Sequence, residues 1–226
     1  VDTILLANLA TLNKKTKDVL EIGVNNAALS IFLSQRSDFL HIDAIEIQKE
    51  ACDLANFNIN MNHLEKRINV INDDFNEWWK KHTKNVGKKY DLIVYNPPFY
   101  RKETKIKKNI SDAMLKATHE ITLNLEDIIK GSSKIIEQKG FLALIIPPER
   151  LVDCFVLLKK YSFEPKRVIM IHPRQYQKAI LTFVEARFQT GWGVHFEPNI
   201  YLHPNNPSKH EYLEEVVKLY QPQKLK

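Results

Sequence analysis

The sequence predicts an α/β fold, a doubly wound and mostly parallel sheet closed by an antiparallel strand. Three observations carry this reading. Short apolar runs alternate with segments of helical apolar period through the first two thirds of the chain. Most of those runs end in polar or glycine-containing turns, as strands do when a crossover helix follows. Towards the carboxyl end, apolar runs at residues 167–172 and 179–188 are joined by a connection too short for a crossover, which permits antiparallel pairing.

Taken in order, residues 2–9 read as the middle of a helix, and because the chain opens at Val1 rather than methionine an upstream segment is expected. Residues 17–22 read as the first strand, followed by a turn at 23–27 and a helix through 35. Residues 41–47 form the second strand and 48–62 a helix; 67–72 form the third strand and 75–83 a short helix carrying Trp78 and Trp79, expected to pack. The fourth strand ends in Asp91-Leu92-Ile93-Val94-Tyr95-Asn96-Pro97-Pro98-Phe99-Tyr100. A basic stretch without apolar period at 101–109 predicts an exposed loop, and a helical pattern resumes over 111–137. Residues 140–146 are a fifth strand stopped by Pro147 and Pro148, 149–161 a helix, 194–202 an extended segment and 208–219 a last helix.

Composition bounds the partners. A chain of 226 residues with 44% hydrophobic and 27% charged residues suits one domain spanning 1–226. The 33 Lys and Arg against 27 Asp and Glu give +6, which favours a polyanionic partner such as nucleic acid. Cys52 and Cys154 lie in different predicted helices, so neither a disulfide framework nor a metal site is expected, and a reducing cytoplasm fits. No apolar run approaches the roughly 18 residues of a membrane span. A monomeric or weakly associating protein is expected.

The chemistry concentrates at strand ends, where open α/β sheets bind ligands. Gly23 lets the backbone of the first turn approach a ligand closely, and Glu46 at the end of strand two can accept from two ribose hydroxyls or sit as a solvated helix-start carboxylate. Asp73 and Asp74 suit either an adenine amine or a helix N-cap. The Asn96 side-chain oxygen and Pro97 carbonyl can accept from both N–H groups of a ring amine, aiming its lone pair at an electrophile. Pro98 stiffens that elbow and Phe99 can stack on a flipped base, with Tyr100 a second candidate. Residues 172–178 form a second basic and aromatic turn, suited equally to RNA contact and to a hairpin connection. His119 and Glu120 read as structural.

With these residues in place, the chain resembles the amino-methyltransferases that carry an Asn-Pro-Pro-aromatic motif. Within them it is most similar to the bacterial tRNA adenine N(6)-methyltransferases of the TrmM (YfiC) type. The likeness runs through residues 2–7, 19–23, 45–47, 96–99, 119–120 and 184–186. It implies a Rossmann-like class I S-adenosylmethionine-dependent fold with a seven-stranded sheet and an antiparallel last strand, with S-adenosylmethionine as cofactor and tRNA as partner. The implied reaction is methylation at N6 of the adenosine beside the anticodon. The motif alone leaves open a guanine amine in RNA or a protein glutamine side chain, and loss of cofactor binding would leave an RNA-binding module. By resemblance, Glu21, Gly23, Asn25, Glu46, Ile47, Asp74, Phe75 and Asn96 hold the cofactor, and Asn96, Pro97, Pro98 and Phe99 form the catalytic elbow. Tyr100, Arg101, Lys102, Lys105, Lys107 and Lys108 contact RNA. Asn25 and Ala27 stand where the family pattern has glycines; asparagine tolerates the left-handed conformation such a turn requires.

Overall fold

The computed structural model describes residues 1–85, 87–97 and 125–225. The expected positions Pro98, Phe99, Tyr100, Arg101, Lys102, Lys105, Lys107, Lys108, His119 and Glu120 lie outside them. Helix α1 (Asp2–Leu9) precedes β1 (Asp18–Ile22), α2 (Ala28–Ser34), β2 (His41–Glu46), α3 (Lys49–Met61), β3 (Ile68–Asn72), α4 (Phe75–Lys84) and β4 (Tyr90–Tyr95). From Leu125 onwards follow α5 (Leu125–Ile135), β5 (Ile136–Ile146), a single 3-10 turn (Pro148–Arg150), α6 (Leu151–Lys160), β6 (Phe163–His172) and β7 (Leu181–Phe188). Two short strands, β8 (His195–Phe196) and β9 (Ile200–Tyr201), and helix α7 (Glu214–Lys218) complete it.

The sheet runs in the order β3-β2-β1-β4-β5-β7-β6-β8, with β9 also paired to β6. Pairs from β3 through β5 are parallel, and β7 is antiparallel to both β5 and β6. The seven strands expected are therefore present with the expected antiparallel member, which lies inside the sheet between β5 and β6. The extended segment at 194–202 adds β8 and β9 in parallel beyond them.

Side chains on the central strands alternate between two cores, as a sheet covered on both faces requires. Val19, Leu92, Val94, Ala143, Ile145 and Phe183 join Leu5 and Leu6 of α1, Leu29 and Leu33 of α2 and Ile59 of α3 in one cluster. Leu20, Ile93, Tyr95, Leu142, Leu144 and Val184 join Phe75 of α4, Ile128 of α5 and Leu158 of α6 in the other. Trp78 and Trp79 pack against this second cluster, as expected of them.

Several boundaries differ from the expectation: the last helix, expected over 208–219, is confined to Glu214–Lys218, the strand expected from 167 starts at Phe163, and β5 starts early. The helical pattern carried through 137, whereas α5 stops at Ile135 and Ile136 already pairs with Tyr90. The ladder then shifts register and resumes at Leu92 opposite Phe141. Lys139 takes φ +64 at this shift, and a Cβ on Gly140 would lie 3.1 Å from the Asp91 carbonyl oxygen and 2.7 Å from Ile136 Cγ1. Glycine permits the close approach of β5 to β4, and local periodicity carries no sign of that tertiary demand.

Candidate active site

The strand order reverses between β1 and β4, which opens a crevice at their carboxyl ends. The two ends are level: Ile22 pairs with Tyr95, the last residue of each strand. Gly23 and Asn96 are the next residues, so the glycine turn and the Asn-Pro elbow start side by side across one strand spacing of about 4.8 Å.

The turn after β1 takes the tight form that the family glycines would give. Gly23 has φ +76, and a Cβ built on it meets no atom within 4 Å, so the space beside it is open. Its amide and that of Val24 both donate to the Ile45 carbonyl, at 2.8 and 3.1 Å, which fastens the turn to β2. Asn25 and Ala27 adopt φ +48 and +64. The chain thus makes the left-handed positions without glycine; the strain at Ala27, which has no polar side chain to offset it, is carried by the surrounding fold. The Asn26 side chain accepts from the Ala28 amide at 3.2 Å, and its carbonyl accepts from Asn58 of α3 at 2.9 Å.

Glu46 ends β2 and joins the two loops. One carboxylate oxygen accepts from the Asn25 amide at 3.1 Å and the other from the Gln48 amide at 3.0 Å. Each oxygen keeps a second acceptor position, so the orientation is fixed while capacity for a diol remains. Ile47, next in the chain, is 53% exposed. An apolar side chain held in the open beside a carboxylate provides a surface for the flat face of a purine.

Glu21 departs from its expected role as a cofactor contact. Its carboxyl is 3% exposed and accepts a hydrogen bond from the Ser30 hydroxyl of α2, beneath the turn. Burial pushes it up to about 8, against the lowering effect of Ser30 and with a small further rise from Glu46. It braces the turn from below. The Phe75 side chain is buried in the core, where a Cβ on Gly131 would lie 2.6 Å from its ring, so only its backbone faces the crevice end of β3. Asp74 caps α4, accepting from the Asn76 amide at 2.7 Å, while Asp73 accepts from the Asp74 amide at 2.9 Å and pairs with Lys81 at 3.2 Å. The capping alternative for this Asp pair is thus realised, with carboxylate acceptor capacity to spare at Asp74.

Asn96 follows β4 with its amide nitrogen directed at the Thr3 hydroxyl of α1, 3.3 Å away. Its side-chain oxygen is buried and has no hydrogen-bond partner among the described residues. A buried acceptor without a partner is costly in a fold and is the form expected where a ligand's N–H completes the bond. Thr3, Ser30 and Gln48 were not singled out from sequence. Thr3 is separated from Asn96 by 93 positions, and no local pattern links them.

Residues 2–125 match the family model described as the methyltransferase small domain. The chain belongs to the methyltransferase small domain family. Among relatives of this methyltransferase domain is a protein of Parabacteroides distasonis named tRNA1(Val) (adenine(37)-N6)-methyltransferase. It is 30% identical over 175 residues, covering 76% of this chain and 69% of that one. A protein of the same name from Christiangramia forsetii is 27% identical over 220 residues, covering 97% and 88%. One from Escherichia coli strain SE11 is 31% identical over 134 residues, covering 59% and 52%. A crystal structure of a predicted O-methyltransferase from Agrobacterium tumefaciens superposes with a TM-score of 0.78 at 18% identity, over 100% of this chain and 98% of that one. That likeness establishes the shared class I methyltransferase fold. Among the described residues no group of His, Cys, Asp and Glu is placed to hold a metal ion, and no helix is long and apolar enough to cross a membrane.

Proposed function

We propose that this chain transfers a methyl group from S-adenosylmethionine to N6 of an adenosine in tRNA, at position 37 beside the anticodon. The names of its relatives supply the substrate class. The single observation that carries the chemistry is the buried Asn96 side-chain oxygen, unpartnered among the described residues, next to the open turn at Gly23 and fixed there by the Ile22 and Tyr95 pairing.

The residues present suit the cofactor. Glu46 would accept from the ribose hydroxyls, Ile47 would lie against the adenine, Asp74 would accept from its amine, and Gly23 and Asn25 would leave room for the chain bearing the sulfonium. When bound, the cofactor supplies an electrophilic methyl group on sulfur. Asn96 and the Pro97 carbonyl would accept from the two N–H groups of the substrate amine, drawing it out of conjugation with the ring and freeing its lone pair for attack on an electrophile. Pro98 would keep the two acceptors at a fixed separation, and Phe99 would stack on a base extruded from its neighbours. The surplus proton leaves after transfer, so no base with a matched pKa is required in advance.

The test is unmodified tRNA incubated with isotopically labelled cofactor, then digested and analysed by mass spectrometry. N6-methyladenosine at position 37, mostly lost with Asn96→Ala while cofactor affinity stays nearly intact, is the expected result. Label on a guanine amine, or only in a protein fraction, overturns the proposal.

A further inference from the structure

We propose that the turn between β6 and β7 is a second RNA contact, with Tyr176 as a stacking platform for an unpaired nucleotide near the one methylated. This rests on the tRNA reading above. The turn spans residues 173–180, and as a hairpin connection it is longer than the fold needs, since two residues can join antiparallel strands.

Its length is matched by unusual bracing. The Gln175 amide donates to the Asn205 side-chain oxygen at 3.1 Å, and the Asn205 amide group returns a bond to the Gln175 side chain at 2.8 Å. Arg174 donates through Nη2 to the Lys209 carbonyl at 2.7 Å. The Gln177 carbonyl contacts His172 Nδ1 at 2.7 Å, and the Gln177 amide closes back on Arg174 at 3.0 Å. A second loop is thereby tied to the first, with backbone bonds from Leu202 and His203 to the carbonyls of His172 and Pro173.

What this rigid tip presents has no structural use within the fold. Tyr176 is 88% exposed, so its ring contributes almost nothing to the core. Arg174 and Lys178 flank it, residues 172–180 contain no acidic residue, and neither cation forms an ion pair among the described residues. Lys209 on the loop tied beneath is already paired, with Glu211 at 3.8 Å, so Arg174 and Lys178 are the cations the tip offers. A ring on a pre-ordered backbone loses little entropy on stacking, and unpaired cations beside it suit a phosphate chain.

Topology puts this tip where a bound anticodon loop would pass. β5 is antiparallel to β7 and β7 to β6, so β6 runs in the same direction as β4, and the turn leaves the sheet at the same end as Asn96. Three strand spacings separate β4 from β6, on the order of 14 Å. That is the reach of about four stacked nucleotides at about 3.4 Å each. A single-stranded loop with its target base at Asn96 therefore spans to Tyr176 without distortion.

The experiment compares Tyr176→Ala, Tyr176→Phe and Lys178→Gln in the whole chain, with calorimetric cofactor affinity as the check that each is folded. Expected are a rise of about tenfold in KM for tRNA with Tyr176→Ala, kcat within about twofold, and KM near the wild-type value with Tyr176→Phe, because the ring stacks. Lys178→Gln should reduce the slope of log affinity against log salt by about one. A KM for Tyr176→Ala equal to wild type overturns the proposal whatever the salt slope does. Failure of the underlying tRNA reading has a different signature: the wild-type chain itself neither binds nor methylates tRNA, and the platform falls with it.

Discussion

The Asn96 amide nitrogen donates to Thr3 Oγ1 at 3.3 Å, and that contact decides which end of the carboxamide faces the crevice. Asn96 has two donors and one acceptor that can exchange places by rotating about one bond. With the nitrogen engaged by α1, the oxygen is the end left to receive a substrate N–H. Thr3→Val keeps the shape and removes the partner, so the amide orientation is no longer selected. A hydrogen bond worth about 1 kcal/mol corresponds to about a fivefold loss of kcat. Cofactor affinity should be unchanged, and Thr3→Ser should restore turnover. Equal kcat for the valine and serine variants would remove Thr3 from the reaction.

Glu46 supports a second prediction, because its carboxylate has a neighbour on each oxygen before any ligand is considered. Glu46→Ala deletes the acceptor for the ribose and frees the Asn25 and Gln48 amides that order the two loops. Charge-assisted bonds of this kind are worth about 1.5–3 kcal/mol each, so cofactor affinity should fall by about a hundredfold. Glu46→Gln, which has one carbonyl oxygen and must turn an NH2 group towards one of the amides, should lose nearly as much. Isothermal titration with S-adenosylhomocysteine reads this directly, and an affinity within a few-fold of wild type would show that the cofactor is held elsewhere.

Strand and helix alternation, the antiparallel closure and the elbow at Asn96 were legible because each is written locally, in apolar period or in a proline pair. The left-handed turn was legible too, since Asn25 is a residue type that tolerates φ +48. The direction of Glu21 was not. β1 is covered on both faces, so alternation cannot tell a carboxyl bonded to Ser30 beneath the turn from one directed at a ligand. Phe75 shows the same limit at a helix start, where the residue after a capping Asp has its backbone at the strand end while its ring belongs to the core. Thr3 and Asn205 act through partners far along the chain, and only the fold brings those together.

The buried Glu21 carboxyl gives stability a pH dependence whose sign is fixed. Its folded value, about 8, lies above its ordinary 4.5, so the folded state holds a proton that the unfolded chain has released in between. The associated stability is complete below pH about 4.5 and is lost as pH rises to about 8, at a slope of at most about 1.4 kcal/mol per pH unit. Urea denaturation between these limits should show stability falling with pH in the wild type. Glu21→Gln, which cannot ionise and can still accept from Ser30, should flatten that fall. An unchanged profile in the variant would place the titration on another group.

Arg167 holds the amino-terminal segment to the carboxyl-terminal half of the sheet, and its loss should cost more than that of its partly exposed partner Glu197. Glu185 is fully buried and accepts from the Thr11 amide at 2.8 Å, the Thr11 hydroxyl at 2.6 Å and Arg167 Nη1 at 3.1 Å. The same guanidinium group reaches the Leu9 carbonyl at 2.8 Å and makes a two-bond contact with Glu197. Arg167→Ala leaves the Glu185 charge buried without its counterion, at a cost of about 3–5 kcal/mol. Glu197→Ala removes a carboxylate whose side chain is a third exposed, so solvent screening limits the loss to about 1 kcal/mol. Chemical denaturation of both variants checks the ordering. Because Leu9 ends the helix that carries Thr3 and Thr11 lies just beyond it, the Arg167 variant should also lose turnover at temperatures where it is still folded, and the Glu197 variant should not.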